Sequence, residues 1–496
     1  MVAGIKNALF GLGVAAVLFA SLFFRVADTD LWAHLAFGRE FWRTGHLPMQ
    51  DVFSYLPTKN PWIFHEWLFG VVCFPLQAFW GGTGLQAAKY LLGFGGMMAA
   101  FLAARQRGAS ASACLFCLLC AGFAFCFEFS PLRAQAFSFI FFALVIFIVE
   151  NVRQSKRMRR LAWVLPIMAL WCNLHGGFMA GLAVLFLYAL GEALARRDYK
   201  PWVAIFAASV AATLINPYGF GLWREVLRHA AHPQPQIVEW FSFFAAWRAG
   251  LYRPFLLLFL LMAAFLPALA VTRFKKDPAS VLVLGATFLL GLARIHHLSL
   301  FYLSFAIYAP EILDSLFNAK PGPPMRRLAQ AALRTCLAAI LVTNFWLFWS
   351  KANANGFRGS PFSLVVPGVE DTQWKDYFYP IGALKFMKAN NLGGNILADS
   401  SWAGLILWYL YPGCRVAVDG RQETVYPPAV LDGFWTYYSL KPGWTAFLNA
   451  YPHDLILTLA PTPRSKALQG LADWRVLYAD AGSMLFARRT PISRKV

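Results

Sequence analysis

Apolar blocks, most of them close to twenty residues long, follow one another through the first 350 positions, and short stretches rich in Arg and Lys separate them. A run of roughly 20 apolar residues is what a helix needs to cross the hydrocarbon core of a bilayer. The chain has 496 residues, of which 59% are hydrophobic and only 14% charged, where a soluble domain carries about a quarter charged. The pattern predicts an α-helical polytopic membrane protein with about eleven transmembrane helices. The first block, Ala8 to Phe24, lacks a small-x-small cleavage pattern and is followed by polar helical sequence, so it reads as an uncleaved first span. A net charge of +20 would suggest nucleic acid on a soluble chain. Here it is accounted for by basic loops on one side of a membrane, and no nucleic-acid partner is expected.

Five basic clusters orient the spans: residues 105–107, 153–160, 195–200, 273–276 and 320–327. Short basic loops stay on the cytoplasmic side, so the segments between them become hairpins whose tips lie outside. The first tip holds Glu128 and Arg133, the second Asn173 and His175. The third runs from Asn216 to Trp240, and the fourth holds Arg294, His296 and His297. Glu66–Trp80 is apolar but interrupted by Pro75 and too short to cross. It is expected to lie along the interface, inside a large first outer loop of residues 27–83, with the second span running from Leu85 to Ala104. The first domain is then 1–350. A last span at about Leu328–Trp349 delivers residues 360–496 to the outer side.

That first loop opens with "RVADTDLWAHLAFGREFWRTGHLP", which sets Asp28 and Asp30 directly behind the first span. Asp30 and His34 are four apart and share a face if a helix starts near Leu31. Two readings stand. The acids cap that helix, or they do chemistry at the water boundary: Asp28 as a base toward an acceptor, and Asp30 with His34 or Glu128 holding a divalent cation or orienting the site. Arg133, Arg294, His296 and His297 suit an anionic group, since Arg forms paired hydrogen bonds to phosphate. Their alternative is snorkelling at a span end, or for Arg133 a pair with Glu128. His175 between two glycines reads mainly as structural, Glu66 as a helix-start residue beside His65, and Asp51 as a turn former. Cys114, Cys117 and Cys120 read as small packing residues. No disulfide framework, zinc spacing, Gly-rich phosphate loop or G-x-S-x-G elbow is present in the sequence.

The acid pair behind span one, the large first outer loop and a further acid at the next outer tip resemble the GT-C superfamily of membrane glycosyltransferases. The phrases "DVFSY", "PWIFHEWL", "WCNLHGGF", "INPYGF" and "VDGR" are similar to those of a group of bacterial membrane proteins placed near it. The resemblance implies a GT-C-like fold and transfer of a sugar from a polyprenyl-phosphate donor to a lipid, glycan or protein acceptor. It implies inversion at the anomeric centre, the bacterial inner membrane with a periplasmic tail, and a site using Asp28, Asp30 and Glu128. A divalent cation, Mg or Mn, would be held by Asp30 and Glu128. The alternative is a non-catalytic protein that binds or transports lipid-linked glycan.

The tail changes character. "NILAD" (395–399), "RVAVD" (415–419) and "DLILTL" (454–459) read as strands, with a helix over 402–411. "WRVLYAD" and "SMLFARR" read as a closing hairpin, which gives a small α/β domain. "DSSWAGLILWYLYPGCRVAVDGR" resembles the acceptor-holding region of oligosaccharyltransferases, but the Asp and Tyr of that motif are absent and its role is not carried over. Asp399 and Asp419 follow strands, where ligands often bind. Asp419 and Arg421 are read first as a pair across a turn, second as glycan contacts.

Overall fold

The computed structural model describes residues 2–122, 131–231, 237–318, 324–355, 360–368 and 379–489. The chain forms two compact units: Met1–Phe24 with Ala87–Phe220 and Ala230–Pro361, and Arg25–Gln86 with Gly221–His229 and Phe362–Val496.

The first unit is helical. Among the described residues three helices are long and apolar enough to cross a membrane: Trp67–Gln106, of which the part from Ala87 belongs to this unit, Gln135–Ser155 and Arg253–Arg273. Shorter apolar helices accompany them, among them Ala111–Gly122, Phe178–Leu194, Lys200–Ala212, Pro278–Ala293 and Ile295–Tyr308. This is a multi-pass membrane protein, but several of the expected crossings are helices of fewer than 18 residues. The helix Trp67–Gln106 is continuous apart from Gly81, whose φ of 59° and ψ of −152° break the helical path. Only Gly takes such angles readily. The break falls just after Trp80, where the sequence reading ended its interfacial piece. Cys114, Cys117 and Cys120 are fully buried among apolar neighbours as packing residues.

The hairpin pattern has a geometric counterpart inside this unit. Four of the basic clusters meet in one buried ion network. Arg107 reaches Glu150 (2.8 Å), Asp277 (2.9 Å) and Glu311 (3.0 Å). Arg153 reaches Glu150 (3.2 Å), Glu192 (2.9 Å) and Asp277 (2.8 Å). Arg273 holds Glu311 at 3.0 Å and Arg197 lies 3.6 Å from Glu192. Tyr188 donates to Glu150, and the hydroxyls of Tyr188 and Tyr308 lie 2.8 Å apart. Loops that the charge rule assigned to one side of a membrane therefore converge on one end of the bundle.

The second unit is an α/β domain built on a five-stranded sheet. Its strands are β1 (Gly394–Ala398), β2 (Cys414–Val416), β3 (Leu455–Leu459), β4 (Trp474–Ala479) and β5 (Ser483–Arg488). The order is β2-β1-β3-β5-β4; β1 pairs parallel with β2 and β3, and β3-β5-β4 run antiparallel. β1 and β3 are nearly continuous apolar runs, as strands buried on both faces must be. The sequence reading grouped residues 27–83 with the spans; in the structure Arg25–Gln86 belongs with the tail. The reason is pairing across long sequence distances. Val26 bridges Val365 and Ser54 bridges Val416, and the Arg39 guanidinium donates to the carbonyls of Trp408 (2.7 Å) and Leu407 (2.9 Å) at the end of the helix Ser400–Leu410. Two carbonyls of the last helical turn thereby gain a cationic partner, Leu407 O in addition to the Tyr411 N–H it already accepts.

Candidate active site

In the second unit, Ala27 N–H donates to Val365 O (3.0 Å) and Val365 N–H to Arg25 O (2.8 Å). The chain thus reaches Asp28 as an extended, paired segment. Asp28 is 8% exposed and its Oδ1 accepts from the Asp30 backbone N–H at 3.0 Å, which turns the chain into the helix Leu31–Thr44. Asp30 occupies the N-cap position, yet its side chain makes no capping bond. The cap reading therefore describes Asp28 better than Asp30. The helix buries Leu31, Trp32, Leu35 and Phe37 and stops at Gly45, which is left-handed with φ 71°. Close backbone contact fixes its place: a Cβ on Gly38 would lie 2.1 Å from Gly70 O, and one on Gly404 would lie 2.9 Å from Ala33 N.

The Asp30 carboxylate faces the "VDGR" turn. A Cβ built on Gly420 would sit 2.4 Å from Asp30 Oδ1. On either side of Gly420, Arg421 Nε lies 3.0 Å from both Asp419 oxygens, and Arg421 Nη1 donates to Asp51 at 2.6 Å. Asp419 is fully buried and Arg421 is 7% exposed. The guanidinium also lies over the rings of Phe53 (5.1 Å) and Trp62 (4.8 Å). Burial alone would lower the Arg421 pKa; Asp419 and then Asp51 hold it above its ordinary value. Asp51 does form a turn, accepting from the N–H groups of Phe53 (3.2 Å) and Ser54 (2.7 Å), and it spends its second oxygen on Arg421.

His34 does not serve as a partner of Asp30. Its Nε2 lies 3.3 Å from Glu66, and its ring stacks on Phe64 (5.3 Å) with Phe69 edge-on at 4.9 Å. One helical turn carries the two side chains to different neighbours. Glu66, expected only to open a helix, is the acid that takes His34. The other strand-end acid, Asp399, accepts from Arg464 and from Leu459 N–H (3.1 Å), so it ties the ends of β1 and β3.

In the first unit the outer tips converge as the basic loops do. Arg133 pairs with Glu239 at 2.6 Å. His296 Nδ1 lies 3.1 Å from Glu239 O, and Arg294 donates to Trp240 O (3.1 Å) while lying 5.3 Å from the Trp240 ring. The rings of His296 and His297 are 3.9 Å apart, and His175 is near enough to His297 to act on it electrostatically. Burial would raise the Glu239 pKa, but Arg133 holds it below the usual carboxylate range. His175 accepts at Nδ1 from Gly177 N–H (2.9 Å) and lies 2.7 Å from Ser138 Oγ. The ring proton then sits on Nε2.

Three residues escaped the sequence reading. Glu239 is an acid in a long polar tip. Lys89 is completely buried and donates to Phe24 O; a lone Lys in an apolar run is a signal that could have found it. Asp51 was read as a turn, with nothing local to announce Arg421. The expected cation pair was Asp30 with Glu128, and Glu128 lies outside the described residues; of the other candidates, Asp28 gives one oxygen to a backbone N–H and His34 lies against Glu66. Among the described residues no three His, Cys, Asp or Glu side chains gather as a metal site.

No protein-family model and no curated protein sequence matches the chain. Solved structures do. The archaeal oligosaccharyltransferase AglB from Archaeoglobus fulgidus, in complex with an inhibitory peptide and a dolichol-phosphate, has a TM-score of 0.56 at 11% identity, over 98% of this chain and 75% of that one. The arabinofuranosyltransferase AftD from Mycobacteria has a TM-score of 0.54 at 15% identity, over 97% of this chain; this chain spans only 40% of its length. ArnT from Cupriavidus metallidurans, bound to undecaprenyl phosphate, has a TM-score of 0.50 at 15% identity, over 97% of both chains. At these identities the likeness shows the fold alone: the chain is built like these solved membrane glycosyltransferase structures.

Proposed function

We propose that the protein is a membrane glycosyltransferase that moves a sugar from a polyprenyl-phosphate carrier to a lipid, glycan or protein acceptor on the periplasmic face of a bacterial inner membrane. The observation that carries this reading is the Asp30 carboxylate: in the sequence it stands directly behind the first span, on a fold shared with glycosyltransferases. In the reaction, the acceptor oxygen bonds to the anomeric carbon as the bond from that carbon to the phosphate oxygen breaks. The electron pair leaves with the polyprenyl phosphate, and the acceptor proton passes to a carboxylate. Asp30 is assigned that proton. The sequence reading gave the base role to Asp28; with its Oδ1 on the Asp30 N–H, Asp28 is here assigned to orient Asp30 instead. Arg133, Arg294, His296 and His297, all within the first unit, are assigned separately to an anionic group such as a lipid phosphate. His34 keeps only a supporting part, through Glu66.

The test is transfer from radiolabelled undecaprenyl-phosphate sugars to a crude envelope acceptor, with Asp28→Asn and Asp30→Asn compared with the parent at matched expression. Loss of turnover in a folded Asp30→Asn variant is expected. Equal transfer by all three would remove the acids from the chemistry. Binding of undecaprenyl phosphate with no transfer by the parent would favour a non-catalytic glycan-binding role.

A further inference from the structure

The "VDGR" turn is built far more rigidly than a surface loop requires. Arg421 is held by two buried carboxylates from distant parts of the second unit and is covered by two aromatic rings. A buried charge with that many partners has one geometry available. Gln422, next in the chain, sits at φ 31°, an unfavourable angle for a side-chain residue that persists only where its surroundings dictate it. Between the fixed guanidinium and the buried Asp419 stands Gly420, and among the described residues beyond its chain neighbours a Cβ there would meet Asp30 Oδ1 (2.4 Å) and Asp30 Cγ (3.4 Å) within 4 Å.

We infer that Gly420 and Arg421 are positioning residues for Asp30: the Asp51–Arg421–Asp419 clamp holds the Gly420 backbone as a wall that fixes the direction of the carboxylate. This inference rests on the reading of Asp30 as the base. The absence of a side chain at 420 lets the wall stand at contact distance. No positive φ requires glycine at this position, so Gly420→Ala leaves the backbone acceptable and places its methyl against the carboxylate alone. Arg421→Lys keeps the charge but loses the fork that reaches both acids at once.

Two measurements on the full-length protein in detergent separate this inference from the reading beneath it. The first is transfer from undecaprenyl phosphate carrying glucose, mannose or arabinose. Gly420→Ala is expected to lower kcat by at least tenfold with KM for the donor unchanged, and Gly420→Ala with Asp30→Asn to be no slower than Asp30→Asn alone. Additive losses, or full activity of Gly420→Ala beside an inactive Asp30→Asn, would overturn the inference and leave the base assignment standing. The second needs no turnover: coupling of glycinamide to Asp30 by a water-soluble carbodiimide, read by peptide mass spectrometry against exposed Asp432. The methyl is expected to turn the carboxylate outward and raise Asp30 coupling at least threefold in Gly420→Ala. Unchanged coupling would overturn the inference whether or not any donor is used. Arg421→Lys is expected to move both readouts in the same direction; if it does not fold, Gly420→Ala decides.

Discussion

The two polar ends of the helical unit use the same side-chain chemistry to opposite effect. At the end where the basic loops meet, Arg107, Arg153, Arg197 and Arg273 are matched by Glu150, Glu192, Asp277 and Glu311, and the Arg107 and Glu150 side chains are almost wholly excluded from solvent. At the other end Arg133 and Arg294, with His296 and His297 beside them, meet Glu239. A closed set of charges locks helices together. Among the described residues the second set holds more cations than acids, and such an excess attracts an anion. The difference teaches that buried charge marks function by its imbalance, since every member of a balanced network is already consumed by the fold.

The largest effect should come from breaking the closed end. Glu150→Ala removes the acid that Arg107 and Arg153 share, leaving each with its other carboxylates, and is expected to destabilise by about 3 kcal/mol, seen as a fall in the melting midpoint in detergent; an unchanged midpoint would mean that the network is not a clamp. A group in the other unit sets the scale for burial without charge. His453 is fully buried, and burial pushes its pKa down to about 4. The unfolded chain therefore binds the proton first. Stability is intact above about pH 6.5 and falls as the pH drops toward 4, by roughly 3 kcal/mol in all. His453→Gln should flatten that slope in melting midpoint against pH; an equal slope would assign the acid sensitivity to other groups. The smallest change in stability is expected at the open end. Arg133→Ala should weaken binding of undecaprenyl phosphate about tenfold, as loss of one charge-assisted hydrogen bond would, with little change in melting. If it destabilised as Glu150→Ala does, the contrast between the two ends would collapse.

Much of this was legible because it is periodic or local. The alternation of basic loops and polar tips grouped Arg107 with Arg153 and Arg133 with Arg294 before any coordinates. Apolar runs located the five strands, four of them to within a residue at each end; β2 stops at Val416, three residues before the reading ended it. What was not legible is pairing between residues far apart in sequence. Arg421 finds Asp51, Arg133 finds Glu239 and His34 finds Glu66 because the fold delivers them, and helical spacing alone had sent His34 toward Asp30. The turn reading of Asp419 and Arg421 was right about the pair and silent about Gly420, whose role exists only because Asp30 stands against it.

The second unit is assembled from three pieces of chain, Arg25–Gln86, Gly221–His229 and Phe362–Val496. The acid at position 30 therefore meets its wall at position 420 only after about 390 further residues have been made, which takes roughly 20–80 seconds at ordinary rates of synthesis. Throughout that interval the first loop waits, already past the first helix, without the segment that aims its carboxylate. An interrupted or truncated chain would carry the acids and lack their setting. On the proposed reading of Asp30, its carboxylate gains its setting only once the turn at position 420 has been made.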